Sequence, residues 1–241
     1  MSTPQWAALA SKTDAQLRAG AYLAYLGDEL VQFTSVTPVT GGLRLNGLRH
    51  GLLDTTPKAH AAGTEIWLVE QADNDSFAVT NPAGNPTNVR VRARQGSDVQ
   101  PIPNGITDTE TITPPTRAAR PSAPRDIRVN GNYRTPHAAG AAVFTWKNRN
   151  RFLESEIIPQ TDSAASIDEP NTLVRIRIYD ETNTLVRTFT GFPGTVLNYT
   201  EADMVADFGY VPDEFRITIE GDFTASIYSW QLHDLTIEYV Q

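Results

Sequence analysis

The sequence predicts a mainly β protein: a small β-rich domain followed by an antiparallel β-sandwich. Three observations carry that expectation. Apolar and polar residues alternate with period two along much of the chain, as in "TLVRIRIYDE", where Val174, Ile176 and Ile178 alternate with Arg175, Arg177 and Tyr179. Turn signals built from Gly, Asn and Asp separate these segments. The segments themselves are dominated by β-branched and aromatic residues, which suit a pleated, half-buried surface.

Taken in order, Ser11 to Leu26 holds the one early helical pattern. Thr13 or Asp14 can cap it and Leu17 with Ala21 gives helical spacing, although Gly20 weakens it. "AYLAYLG" and "DELVQFTSV" read as strands joined at Gly27-Asp28, a tight-turn pair. "GGLRLNGL" sets Leu43 and Leu45 inward and Arg44 and Asn46 outward, and "TEIWLVEQ" follows as a strand. "FAVT" and "TNVRVRARQG" complete a first domain over 1–99. In the latter, Val89, Val91 and Ala93 alternate with Arg90, Arg92 and Arg94.

A stretch with Pro101, Pro103, Pro114 and Pro115 then reads as an extended linker over 100–120, with room for a short strand at "TETITP". From 121 to 241 the pattern is strand after strand. "RDIRVNG" places Ile127 and Val129 on one face. "AAVFTWKN", "TLVRTFTGF" and "TVLNYT" follow, and "EADMVADFG" is a helical turn or two. "EFRITIEG" sets Phe215, Ile217 and Ile219 on one face, and the last strand does the same with Leu235, Ile237 and Tyr239. Six or seven short strands within this length are the pattern of a sandwich.

Composition narrows the function. The net charge of −8 and pI near 5.0 disfavour a nucleic-acid partner, whose phosphates need a basic face. With no cysteine, thiolate metal sites, disulfides and cysteine nucleophiles are excluded. The first twenty residues lack the pattern of a secretory leader, and no apolar run is long enough for a membrane span, so a soluble protein made in a cytoplasm is expected.

No sequence motif for metal-dependent hydrolysis, serine nucleophiles or phosphate cradling is present. The histidines are His50, His60, His137 and His233, and no two stand four residues apart. His50 and His60 can meet across a loop, but no third ligand is spaced to join them, so turn or packing roles are expected. "QADNDSF" reads as a hairpin tip and "DSAASIDEP" as an exposed loop. We therefore expect no catalytic residue, no metal and no cofactor. Arg90, Arg92 and Arg94 read as the solvated face of an edge strand, or as a docking face for acidic patches of another subunit. In "KNRNRF", Arg149 and Arg151 follow Trp146 and can stack on aromatics or fork to carbonyls. These five arginines are the candidate interface.

Residues Gly27 to Phe33, Leu43 to Thr55 and His60 to Gly63 resemble a segment of the tail hub proteins of long-tailed phages and gene transfer agents. Leu43 stands where an aromatic is commoner, and Asp54 where glycine is expected. "RPSAPRDIRVNG", "FTWKNRNRF", "VRIRIYDETNTLVRTFTG", "YTEADMVADFG" and "SWQLHDLTIEY" resemble the fibronectin type III-like module of such tail proteins. The hubs are far longer, so the chain looks like the C-terminal part of one, working as a separate polypeptide. The resemblance implies a virion protein of the tail tip or baseplate, assembled in the host cytoplasm. It implies hub, distal tail and tail-tip proteins as partners, and a homotrimer around the tail axis. Gly47, Gly51 and Gly63 are expected to allow sharp loops, with Arg49 fixing them. The alternative is a module that binds a host-surface glycan or protein through loop aromatics such as Tyr133, Tyr210 and Trp230.

Overall fold

A computed structural model describes residues 9–69, 87–89, 94–95, 98–99, 110–112, 120–135, 137–164, 168–224 and 227–240. The chain is mainly β. It divides into two compact units, Met1–Asn74 with Arg120–Gln241, and Asp75–Ala119. This differs from the expected division at 99 and 120. The first seventy-odd residues pack with the sandwich through contacts between distant segments, which local patterning does not reveal.

The first unit begins with α1 (Asp14–Arg18), capped by Thr13, whose hydroxyl accepts the Gln16 N–H while the Gln16 side chain accepts the Thr13 N–H. The helix is shorter than its sequence pattern. Leu17 is its one buried side chain, and Gly20 beyond it takes a positive φ of 102°. Strands β1 (Leu23–Leu26) and β2 (Glu29–Gln32) form a hairpin closed by Gly27 and Asp28, and β5 (Ile66–Val69) pairs on the other side of β1. Strands β3 (Ser35–Val39) and β4 (Gly42–Asn46) make a separate ribbon. Leu43 and Leu45 were expected inside, yet both are only half-buried, because a two-stranded ribbon covers little of either face.

The second unit holds, among the described residues, two small antiparallel pairs. One joins β6 (Thr87–Val89) to β9 (Glu110–Ile112), and the other joins β7 (Arg94–Gln95) to β8 (Asp98–Val99). "FAVT" lies outside the described residues.

The rest of the first unit is the sandwich. Its first sheet has the order β11–β10–β13–β16, from β10 (Arg125–Val129), β11 (Asn132–Tyr133), β13 (Ala142–Lys147) and β16 (Val196–Tyr199). The second runs β12–β19–β17–β14–β15, from β12 (His137–Ala139), β14 (Thr172–Tyr179), β15 (Leu185–Phe192), β17 (Glu214–Phe223) and β19 (His233–Val240), with β18 (Ile227–Tyr228) beside β17. All pairs are antiparallel except β12 with β19. Ile127, Val129, Phe144 and Trp146 from one sheet meet Val174, Ile176, Ile178, Phe215, Ile217, Ile219, Leu235 and Ile237 from the other in one apolar core. Phe144 and Phe215 meet edge to face at 6.4 Å. These are the faces expected from the alternation. The helix α2 (Glu201–Phe208) is capped by Thr200 and ends at Gly209 in the left-handed conformation, φ 81°.

The long connection from β13 to β14 leaves the sandwich and wraps back. Arg125, buried in β10, holds it by donating to the backbone carbonyls of Asp162 and Ala164. His233, at the start of β19, is fully enclosed at 1 % exposure. Because the Pro124 carbonyl can only accept, His233 Nε2 carries the proton toward it at 2.6 Å, and Nδ1 accepts from Arg134 at 2.9 Å. Burial, reinforced by Arg134, pushes the imidazole down to about 3 from 6.5. A depressed folded value means the unfolded chain binds this proton first as pH falls. Stability from His233 is thus complete above pH 6.5 and is lost as pH drops from there toward 3. Thermal melts should show stability falling between pH 6.5 and 4.5, by up to about 1.4 kcal/mol per pH unit. His233→Gln should flatten that limb, and an unchanged slope in the variant contradicts the assignment.

Candidate functional site

Strand β2 is buried on both faces, and its end residues, Glu29 and Gln32, are polar with fully enclosed side chains. Gln32 donates through Nε2 to the carbonyls of Leu17 at 2.7 Å and Ala21 at 2.8 Å, tying the end of α1 to the sheet. Its backbone exchanges hydrogen bonds with that of Arg49. Glu29 sits beneath the loops that follow β4. Its Oε1 accepts the Gly51 N–H at 2.7 Å and His50 Nδ1–H at 2.9 Å. Its Oε2 accepts the Lys58 N–H at 3.2 Å and His60 Nε2–H at 2.5 Å. Burial by itself raises the Glu29 pKa, but the donors from His50, His60 and Gly51 outweigh it, and the carboxyl lies below its ordinary value.

His50 and His60 therefore do meet, and the residue that joins them is Glu29, which sequence spacing did not single out. A ligand atom from each of the three lies within 4.8 Å of the others, close enough to consider a metal ion. The separations favour hydrogen bonds instead. Ligands bound to one tetrahedral ion at about 2.1 Å stand roughly 3.4 Å apart, whereas the imidazole nitrogens approach the carboxylate to 2.9 and 2.5 Å. Carboxylate–imidazole pairs also orient catalytic bases. Here one carboxylate holds two imidazoles and two backbone N–H groups, which makes it a clamp on the loops.

The loop residues fit that clamp. Gly51 has φ 63°, and a Cβ there would stand 2.4 Å from Pro57 Cδ. Gly47 has φ 58°, and its Cβ would overlap Thr34 at 2.5 Å. At both positions conformation and space demand glycine. Gly63 also has a positive φ, 90°, but open space around it. Arg49 ion-pairs with Asp14 of α1, fixing the loop to the helix.

The clamped loop then meets the sandwich. The Thr56 N–H donates to Gln231 Oε1 at 2.9 Å, and Gln231 Nε2 donates to the Asp28 carbonyl at 2.9 Å. Arg149 forks onto Glu154 and donates to the Leu53 carbonyl. Arg18 reaches Asp162 at 3.0 Å, and the Ile157 N–H donates to the Arg18 carbonyl at 2.9 Å. Arg149 was expected at an outer interface, yet it is 5 % exposed and its contacts are internal. Arg151 pairs with Glu169 at 3.0 Å and donates to the Arg120 carbonyl at 2.5 Å. Arg94 lies in β7, while Arg90 and Arg92 fall outside the described residues. Of the loop aromatics, Tyr210 and Trp230 are exposed and Tyr133 is half-buried.

Fold and site together describe a sheet-built protein whose polar cluster is arranged for joining parts. Residues 2–67 match the family described as Rcc01698-like, C-terminal. A search of curated proteins finds no match. The matched segment contains Glu29, Gln32, Arg49, Gly51 and His60, so it coincides with the clamp. Among the described residues, no helix is long and apolar enough to cross a membrane.

Glu29→Gln keeps the shape but turns one acceptor into a donor facing N–H groups. It should lower stability by about 3 kcal/mol, a fall of roughly 10 °C in Tm. Because the folded Glu29 pKa is depressed, its contribution is complete above pH 4.5 and is lost as pH falls below it. The gap between wild type and variant in pH-resolved melts should therefore be constant above pH 4.5 and narrow below. Equal melting temperatures at neutral pH contradict the clamp.

Proposed function

We propose that the chain is a structural virion protein of a phage-type tail tip or baseplate, which completes or docks onto the central hub and braces neighbouring tail proteins. The observation that carries this reading is the coincidence of the family match over 2–67 with a module clamped internally and bonded to a sandwich. Its action is geometric and needs no reactive group: the joint sets the direction in which the sandwich points. Three copies around a tail axis fit the hub resemblance. The cross-strand pair Tyr25 and Trp67, on the sheet of the matched module, is 43 % and 65 % exposed, which suits burial against a neighbouring tail subunit.

Cryo-electron microscopy of purified particles, from a host carrying the gene with and without a fused tag, tests this. Density for the tag at the tail tip, in threefold arrangement, is the expected result. Particles that assemble normally and lack the protein overturn it.

A further inference from the structure

Beside the clamp lies a cavity of about 370 Å³, within the range of small-ligand sites. Four of its lining residues are Arg49, His50, Lys58 and Arg134, and among the described residues no acidic side chain lines it. Three of these have anionic partners outside the cavity: Asp14 for Arg49, Glu29 for His50 and Asp28 for Lys58. Arg134 differs. Its contacts are His233 Nδ1 at 2.9 Å and the Pro57 carbonyl at 3.4 Å, and among the described residues no carboxylate lies within ion-pair distance. Arg134 is half-buried, and burial holds its guanidinium below the ordinary value although Tyr133, Glu29 and Asp234 act at longer range to raise it.

A second observation is independent of charge. Gln160 also lines the cavity and is 2 % exposed, yet among the described residues neither its Nε2 nor its Oε1 has a hydrogen-bond partner. Arg49 Nη1 is likewise buried and has no partner among the described residues. Unpaired buried amides and guanidinium N–H groups are costly, so they mark places where a ligand completes the bonding. Gln160 needs both an acceptor and a donor from that ligand. Tyr133 and Pro159 add flat apolar wall to the same cavity, as the carbon face of a sugar ring requires.

We propose that this cavity binds a hydroxylated oxyanion of the size of an acidic sugar unit, its carboxylate or phosphate against Arg134 and Arg49 and its hydroxyls on Gln160. The site goes beyond the tail-tip role and stands independently of it. The test is titration of the folded protein with glucuronate, glucose 6-phosphate and glucose, followed by calorimetry and by the ¹H–¹⁵N signals of the Gln160 side-chain amide. One or both acidic sugars should saturate at millimolar concentration and shift the Gln160 amide, with glucose at least roughly tenfold weaker. Which acid binds tells carboxylate from phosphate. Arg134→Gln and Gln160→Leu should each weaken binding by roughly tenfold or more. Gln160→Leu removes two unpartnered polar atoms and should fold at least as well as wild type, so it reads binding even where Arg134→Gln is unstable. Absence of binding by both acids overturns the proposal. So does equal binding of glucose, or wild-type affinity in Gln160→Leu.

Discussion

The structure depends on one buried carboxylate. Glu29 lies out of water at the end of a strand covered on both faces. An ion there is stable only if its lone pairs are filled, since removing a carboxylate from water costs several kcal/mol. The chain fills them with four donors: the Gly51 N–H, the Lys58 N–H and the rings of His50 and His60. Satisfying the charge and folding the loop are therefore one event. Beyond the single bridge between Gln32 and Arg49, the stretch from 50 to 60 has no strand or helix of its own, and the carboxylate supplies order that a hydrogen-bond ladder supplies elsewhere.

That loop matters because of what it touches. Leu53, Thr56 and Pro57 present backbone groups to Arg149, Gln231 and Arg134 of the sandwich. On the other side, the connection from β13 to β14 is held by Arg125 and Arg18 through Asp162. Each bond is modest singly, but together they span residues far apart in sequence and give the two parts a shared polar joint. Arginine recurs because its forked guanidinium can serve a carboxylate and a carbonyl at once, as Arg149 does. A joint of this kind suits a part that must hold an angle under load, which is what the tail-tip proposal asks of it. It also encloses the basic cavity, whose walls come from the loop, β11 and the returning connection.

Much of the sandwich was legible in the sequence. The inward faces of β14, β17 and β19 follow from alternation alone, because each strand has one face on the core. The short helix α2 was legible as a helical turn or two, and the structure adds its Thr200–Asp203 cap and its end at Gly209. Where a strand is covered on both faces the rule fails. In "ELVQF", Glu29 and Gln32 stand three apart and so fall on opposite faces of the strand, and only the tertiary structure shows that both faces are filled. Leu43 and Leu45 fail the other way, alternating on a ribbon with little to bury them. His50 and His60 were visible as a pair, but their partner comes from a strand twenty-one and thirty-one residues earlier. The outward reading of Arg149 and the boundary at 99 went astray for the same reason: both turn on contacts between distant segments, which leave no periodic signal.

Native-state amide exchange at Gly51 and Lys58 tests the central claim most directly, since these are the two backbone N–H groups that Glu29 holds. If the carboxylate orders the loop as an integral part of the fold, both amides should exchange as slowly as those of Ile217 and Ile219 in the sandwich core, through global unfolding. Exchange at the rate of an open loop, with the core amides still protected, would contradict it.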